Sequence, residues 1–201
     1  MSQVARSAGR REYCSAGPWL TSKFHEMNDQ PVLQWKGKFL RVIKCGRWEY
    51  ADRLGTTGAV AIVALTDDAK LVLTEQYRIP VGCRVVELPA GLAGDAPGHA
   101  AEALAQAARR ELLEETGYEA RAMLCLASGP PSAGLASEIV TFFQASGLRR
   151  VAVGGGDAHE QIQVHEVPLA GLDQWLKQRM AQGVLVDPKV YAGLYLHRQS
   201  H

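Results

Sequence analysis

The strongest constraint on how this chain can fold is the apolar run 58–65, GAVAIVAL. It is far too short to cross a bilayer, which takes about 20 residues. A short apolar run bounded by turn residues reads instead as a buried strand. The turn Thr66-Asp67-Asp68-Ala69 follows, then a second strand over 70–77, KLVLTEQY, so 58–77 is expected to form a hairpin. Upstream, from about 31 to 53, VLQWKGKFLRVIKCGRWEYADR predicts two or three strands with turns at Gly37 and Gly46. A short strand at 85–88 is ended by Pro89.

Residues 91–98 form a loop rich in Gly, Ala and Pro, and the periodicity then changes. Apolar positions 101, 104, 105, 108 and 112 recur at helical spacing and predict a helix over 100–116, with Gly117 as its C-cap. Strands are expected at 119–127, 139–145 and 161–167, and helices at 169–182 and 189–197. Strands interleaved with single helices indicate an α/β sandwich around a mixed sheet, with a small N-terminal β extension. The expected division is a flexible tail over 1–18, a strand region over 19–56 and a main domain over 57–201.

Composition narrows the function. The 201 residues are 47% hydrophobic and 21% charged, which argues against a disordered chain. A formal net charge of +1 argues against a broad nucleic-acid surface. The first 20 residues carry no hydrophobic core of a signal peptide, so a cytoplasmic protein without a membrane partner is expected. Cys14, Cys45, Cys83 and Cys125 contain no close pair; four free thiols are expected and no zinc motif is formed. The six histidines do not cluster either, so any metal must be held by carboxylates.

The chemistry concentrates in RRELLEETGY, residues 109–118. Glu111, Glu114 and Glu115 stand at i, i+3 and i+4, on one helical face. Like charges at that spacing cost an isolated helix about 0.2–0.5 kcal/mol per pair. Their place near the helix C-terminus opposes the macrodipole as well. One reading is a solvated acidic face offset by Arg109 and Arg110; the other is a face that holds a hard cation such as Mg²⁺ or Mn²⁺.

The wider spacing weighs between them. Glu102, seven residues, Arg110-Glu111-Leu112, one residue, Glu114-Glu115, one residue and Gly117-Tyr118 resemble the Nudix box. The segments EQYRIP, VELPAGL, GLASE, HEQIQVHEVPL and VDPKVYAGLYL are similar to the branch that splits ADP-ribose and nucleoside diphosphate sugars. The resemblance covers about residues 35–197. It implies a Nudix α/β/α sandwich and hydrolysis of a diphosphate with Mg²⁺ or Mn²⁺. Glu111 and Glu115 then match the principal metal ligands, Glu114 a helper, and the Ala90 carbonyl a backbone ligand. Glu102 matches either an ion-pair partner of Arg109 or a metal contact, and Arg110 an orienter of carboxylates. One departure stands out: the motif's opening Gly falls on Ala96, and the Gly of the PAG turn is Gly91, five positions earlier. An insertion in this loop accounts for it.

The same resemblance suggests further residues. Glu160, before Ile162, matches a loop acid that serves as metal ligand or general base, and the triple Gly154–156 would make that loop mobile. Asp157, or no residue, supplies a second loop acid. Arg78 and Arg53 match phosphate-contacting arginines, a role that suits the paired donors of a guanidinium. Phe39 and Trp48 resemble rings that sandwich a nucleobase, one from each subunit of a dimer with exchanged N-terminal strands, and strand packing is the alternative for both. Glu49 would accept from the base, and Glu138, after Ser137, lies in a loop covering the sugar. The expected activity is diphosphate hydrolysis of ADP-ribose or a related nucleotide sugar, giving a nucleoside monophosphate and a sugar phosphate. Alternatives are another Nudix substrate (an oxidised nucleotide, a dinucleoside polyphosphate or coenzyme A) or a nucleotide sensor that does not cleave.

Overall fold

The structure, a computed structural model, describes residues 29–95, 103–156 and 161–200. Its axis is β4 (Gly58–Leu65), the apolar run, whose side chains alternate between two cores. Ala59, Ala61 and Val63 pack with Leu172 and Leu176 of α2 (Leu172–Ala181) and Val190 of α3 (Pro188–Gln199). Val60, Ile62 and Ala64 pack with Ala107, Ala108 and Leu112 of α1 (Leu104–Thr116). A strand buried on both faces needs a helix layer on each, and the result is an α/β/α sandwich.

Beside β4 lie β5 (Lys70–Arg78), β6 (Cys83–Glu87), β7 (Ala90–Ala93), β8 (Tyr118–Gly129) and β9 (Val140–Arg150). The sheet is completed by β10 (Gln163–Pro168) and β11 (Leu185–Val186). The order is β11-β6-β5-β4-β9-β8, with β10 also on β5 and β7 also on β4. The sheet is mixed: β4 runs parallel to β9 and β11 parallel to β6, while the other pairs are antiparallel.

Three local readings change. The expected 58–77 hairpin is paired only at Ala64↔Val72 and Leu65↔Leu71. Along that edge of β4, residues 58–61 pair with β7 instead, while β9 occupies the other edge. Residues 91–93, the start of the segment read as loop, belong to β7 because β4 offers them an edge. The helix expected from Leu169 opens as a 3-10 turn over Leu169–Gly171 before α2 begins. The cysteines also depart from four free thiols: Cys45 and Cys83 are free, and Cys125 is disulfide-bonded. Separation along the chain does not report which thiols the fold brings together. Among the described residues no helix is long and apolar enough to cross a membrane.

The N-terminal extension is an antiparallel sheet of β1 (Val32–Lys36), β2 (Leu40–Cys45) and β3 (Trp48–Arg53). It docks on the loop before β9: the Ala51 N–H donates to the Leu135 carbonyl at 2.8 Å and the Ser137 N–H to the Ala51 carbonyl at 3.0 Å. Every residue of β1 is exposed, Val32, Leu33 and Trp35 included.

On the α2 face of the sheet, β5 carries a wholly buried acid. Glu75, 0% exposed, accepts from Arg84 of β6 at 2.6 Å and Arg179 of α2 at 2.5 Å, and pairs with His165 of β10 at 3.0 Å. Burial alone would raise its carboxyl, but the bonds from Arg84, Arg179 and His165 outweigh it and hold the group below the usual range. Burial pushes the His165 imidazole down, against the pull of Glu75. His165 also meets the edge of Trp175, ring centroids 4.9 Å apart.

Candidate active site

Helix α1 projects its acids over β7. Gly91 is the point of closest approach: a Cβ there would lie 2.0 Å from the carboxyl carbon of Glu111. Only a residue without a side chain leaves that carboxylate its place. Burial pushes the Glu111 carboxyl up to about 7, and Arg110 offsets only part of this. The Arg110 guanidinium donates to Glu111 at 2.8 Å, to Glu114 at 3.0 Å and to the Leu92 carbonyl at 2.8 Å. It is an orienter of carboxylates, tied to the backbone of β7.

Glu115 is 4% exposed, and its carboxylate accepts from the Ala90 N–H at 3.0 Å. In an antiparallel strand the N–H and C=O of one residue point to the same side. The Ala90 carbonyl therefore shares the side on which its N–H meets Glu115.

The end of α1 is fixed just as closely. Gly117 takes a left-handed φ of 75° and its N–H donates to the Leu113 carbonyl at 2.8 Å. The glycine run then folds back over the helix end: Gly155 N–H donates to the Glu115 carbonyl at 2.8 Å and Gly156 N–H to the Glu114 carbonyl at 3.1 Å. Gly154–156 all have positive φ. The run is a cap on the acidic helix. Its positive φ values, which only glycine adopts at low cost, are what the return path requires.

A cavity of about 360 Å³ opens beside these acids. Glu111, Glu115 and Ala90 line it together with three cations, Arg53, Arg78 and Lys189. Each cation has a carboxylate: Arg53 with Glu138 at 2.5 Å, Arg78 with Glu87 at 2.7 Å, and Lys189 with Asp187. A second cavity, about 350 Å³ and mostly apolar, is lined by Trp48, Tyr50, Pro130 and Ile139. Glu138 lines both, so the two are neighbours. Acids suited to a cation, cations suited to phosphate and an aromatic slot thus lie side by side.

Among the described residues no group of three or more His, Cys, Asp or Glu converges as a ready metal cluster. Five carboxylates line the cavity: Glu138 and Glu87 are held by Arg53 and Arg78, Asp95 lies 3.5 Å from Arg110, and Glu111 and Glu115 stand beside the Ala90 backbone. These are hard oxygen donors, and a buried carboxyl raised towards neutrality is one that a divalent cation would hold ionised. The set fits a divalent cation. Glu114 does not line the cavity; its half-exposed carboxylate pairs with Arg110 at 3.0 Å. Glu102, Ala96, Asp157 and Glu160 lie outside the described residues.

The remaining sequence-predicted residues divide. Trp48 lines the apolar cavity, with the Arg47 guanidinium 5.9 Å from its ring. Glu49 lines neither cavity and faces Lys44 at 4.0 Å. Phe39 is 66% exposed and also lines neither. Sequence reasoning missed Lys189, Glu87 and Asp95, all of which line the polar cavity. VDPKVYAGLYL held Lys189 within view, but nothing local to it points at a site so far upstream in the chain.

The sequence pattern of the NUDIX domain matches residues 55–183. Methanol dehydrogenase activator of Bacillus methanolicus is 38% identical over 123 residues, 61% of this chain and 64% of that protein. ADP-ribose pyrophosphatase of Bacillus subtilis (strain 168) is 40% identical over 93 residues, 45% and 46% of the two chains. ADP-ribose pyrophosphatase of Mycobacterium tuberculosis is 40% identical over 107 residues, 52% and 47% of the two. The chain thus spans between about half and just under two thirds of the length of these curated relatives. A crystal structure of an ADP compounds hydrolase superposes with a TM-score of 0.63 at 23% identity, covering 85% of this chain and 93% of that one. At that identity the likeness is one of fold.

Proposed function

Because the chain belongs to the NUDIX domain family, we propose that it hydrolyses the diphosphate of ADP-ribose or a related nucleoside diphosphate sugar, with Mg²⁺ or Mn²⁺. The observation that carries this reading is one cavity lined by Glu111 and Glu115 together with Arg53, Arg78 and Lys189. A diphosphate needs both a cation site and direct positive charge. The names of the relatives from Bacillus subtilis and Mycobacterium tuberculosis support the choice of ADP-ribose.

Glu111, Glu115 and the Ala90 carbonyl would hold the cation, with Glu114 a helper once it leaves Arg110. Bound there, the metal supplies charge neutralisation and a water of lowered pKa. Arg53 and Arg78 orient the phosphates by paired donors. Water adds to one phosphorus, the bridging P–O–P bond breaks, and a nucleoside monophosphate and a sugar phosphate leave. Glu160 is the proposed ligand or base for the water proton.

Trp48 stacks on the base in the apolar cavity, with Glu138 between the base and sugar ends. The exposed apolar residues of β1 and β2, with Phe39, would be covered by the N-terminal strands of a second copy in a homodimer. Phe39 and Glu49 would then complete the base site across that interface. Segment 19–56 is thus assigned to dimerisation and base recognition, 57–201 to hydrolysis, and the proposed setting is the cytoplasm.

Hydrolysis of a panel tests the reading. ADP-ribose, ADP-glucose, UDP-glucose, GDP-mannose, a dinucleoside polyphosphate and an oxidised nucleoside triphosphate would be incubated with Mg²⁺ or Mn²⁺, with chelator as control. Metal-dependent cleavage strongest on a diphosphate sugar is expected. Tight binding without cleavage of any member would overturn the enzymatic reading in favour of a sensor.

A further inference from the structure

We propose that Lys189, which lies beyond the 55–183 stretch matched by the NUDIX pattern, is a diphosphate-binding residue of this site. The inference rests on the reading just given and assigns a specific cation to it. Lys189 lines the same cavity as Glu111, Glu115 and Arg78 although it comes from α3.

Its position is built rather than incidental. Val186 pairs with Val86 in the short parallel ladder, and the Asp187 N–H donates to the Val86 carbonyl at 2.9 Å. The start of α3 is thereby sewn to β6 one residue before Glu87, the partner of Arg78. Asp187 then caps α3, its carboxylate accepting from the Lys189 N–H at 2.7 Å, and Pro188 fills the first turn. The other Asp187 oxygen takes the Lys189 ammonium. One acid thus fixes both the backbone and the head group of the lysine.

The charge balance gives that lysine its part. Arg53 and Arg78 are paired with Glu138 and Glu87, which themselves line the cavity, so their charge is largely cancelled there. Asp187, the partner of Lys189, is not among the lining residues. Lys189 therefore lines the cavity without its counter-ion, unlike the two arginines. An ammonium has three donors, so it can keep Asp187 and still donate to a phosphate oxygen. The arginines, by contrast, must share or exchange their carboxylates when substrate arrives.

The test compares wild type, K189M, K189R and the control K177M, an exposed lysine of α2. Steady-state KM and kcat are measured on ADP-ribose with Mg²⁺, and ADP-ribose binding is measured by calorimetry in chelator, where nothing is turned over. Thermal denaturation checks each fold. For K189M the expected result is a KM about ten-fold higher and a matching loss of chelator affinity, with kcat within about three-fold. K189R should recover most of both, and K177M should match wild type. If wild type cleaves and binds ADP-ribose while K189M has unchanged KM and affinity, the assignment of Lys189 is overturned and the proposed function stands. Loss of affinity in K189M that K189R fails to recover would also overturn it, because a cap contact rather than charge would be responsible. If wild type neither binds nor cleaves any panel member, both readings fall together.

Discussion

The backbone N–H of Ala90 donates to the buried Glu115 carboxylate at 3.0 Å, joining β7 to α1 at the floor of the cavity. The acid is therefore held by the sheet as well as by its helix. Replacing it by the isosteric amide keeps an oxygen for the Ala90 N–H but removes the charge that would hold a cation. Glu115→Gln is expected to fold with a melting temperature close to wild type. Its kcat for diphosphate cleavage should fall by about 10²–10⁴-fold. Near-wild-type turnover at saturating Mg²⁺ would show that Glu115 is no part of the chemistry.

Gly91 gives a sharper separation of site from fold. A Cβ at this residue meets the end of the Glu111 side chain, at 2.0 Å, and the nearest atoms are all from that carboxylate. A flexible side-chain end can swing aside where backbone cannot. Gly91→Ala should thus cost less than about 1.5 kcal/mol in urea unfolding while displacing Glu111 from the cavity. Mn²⁺ affinity, read by the loss of free-ion electron paramagnetic resonance signal, is expected to drop at least about ten-fold, roughly one charge-assisted contact. Large destabilisation with intact Mn²⁺ binding would contradict this.

At the other end of α1 the glycine run predicts two unequal substitutions. Gly154 has φ 76°, and a Cβ there would lie 2.4 Å from the Thr116 carbonyl carbon and 2.7 Å from the Gly117 nitrogen. Gly155 has φ 115° and nothing within 4 Å of its Cβ position. Gly155→Ala bears conformational strain alone, about 1–3 kcal/mol. Gly154→Ala adds a backbone clash and pushes the cap off the Glu114 and Glu115 carbonyls. It should be the more destabilising of the two in urea unfolding and should lower kcat at equal folded fraction. Equal costs would mean the cap does not hold the acidic helix.

What sequence conveyed and what it hid divide along a physical line. Glu111 and Glu115 were legible because a helix turns local spacing into a shared face, and β4 because an apolar run needs burial wherever it lies. β7 was not: AGLA has no pattern of its own and becomes a strand only because β4 pairs with it. The spacing of the acids also promises Glu114 to the same cation face; in the structure its carboxylate accepts from Arg110 and is not among the cavity's lining residues. Lys189 was invisible for the reason that hid β7, since the residues it joins around the cavity are far away in sequence. Glu75 was hidden inside EQYRIP, where it reads as one more charge on a strand. Its burial follows from which face of β5 lies under α2.

That buried acid sets how the fold responds to pH. His165 has its pKa lowered from 6.5 by burial, despite Glu75. A depressed group contributes stability above its unfolded pKa and loses it as pH falls through the folded value. Glu75 is likewise depressed, from 4.5, by Arg84, Arg179 and His165, which outweigh its burial. Both groups therefore act in the same direction, and each contributes one step of destabilisation on acidification. The first lies below pH 6.5 and belongs to His165; the second lies below 4.5 and belongs to Glu75. Glu111, pushed up to about 7 by burial, acts in the opposite direction over the first step, so melting temperature is measured from about pH 8 to 4 in a Glu111→Gln background, where it should fall along this course. His165→Gln, which keeps a donor towards Glu75, should flatten the first step and leave the second. Glu75→Gln leaves the Arg84 and Arg179 guanidinium groups facing one another without their acid. It should destabilise at neutral pH by about 3–5 kcal/mol, the usual cost of stranding buried charge. An unchanged slope between about pH 6.5 and 5 in His165→Gln would assign the acid sensitivity to some other group.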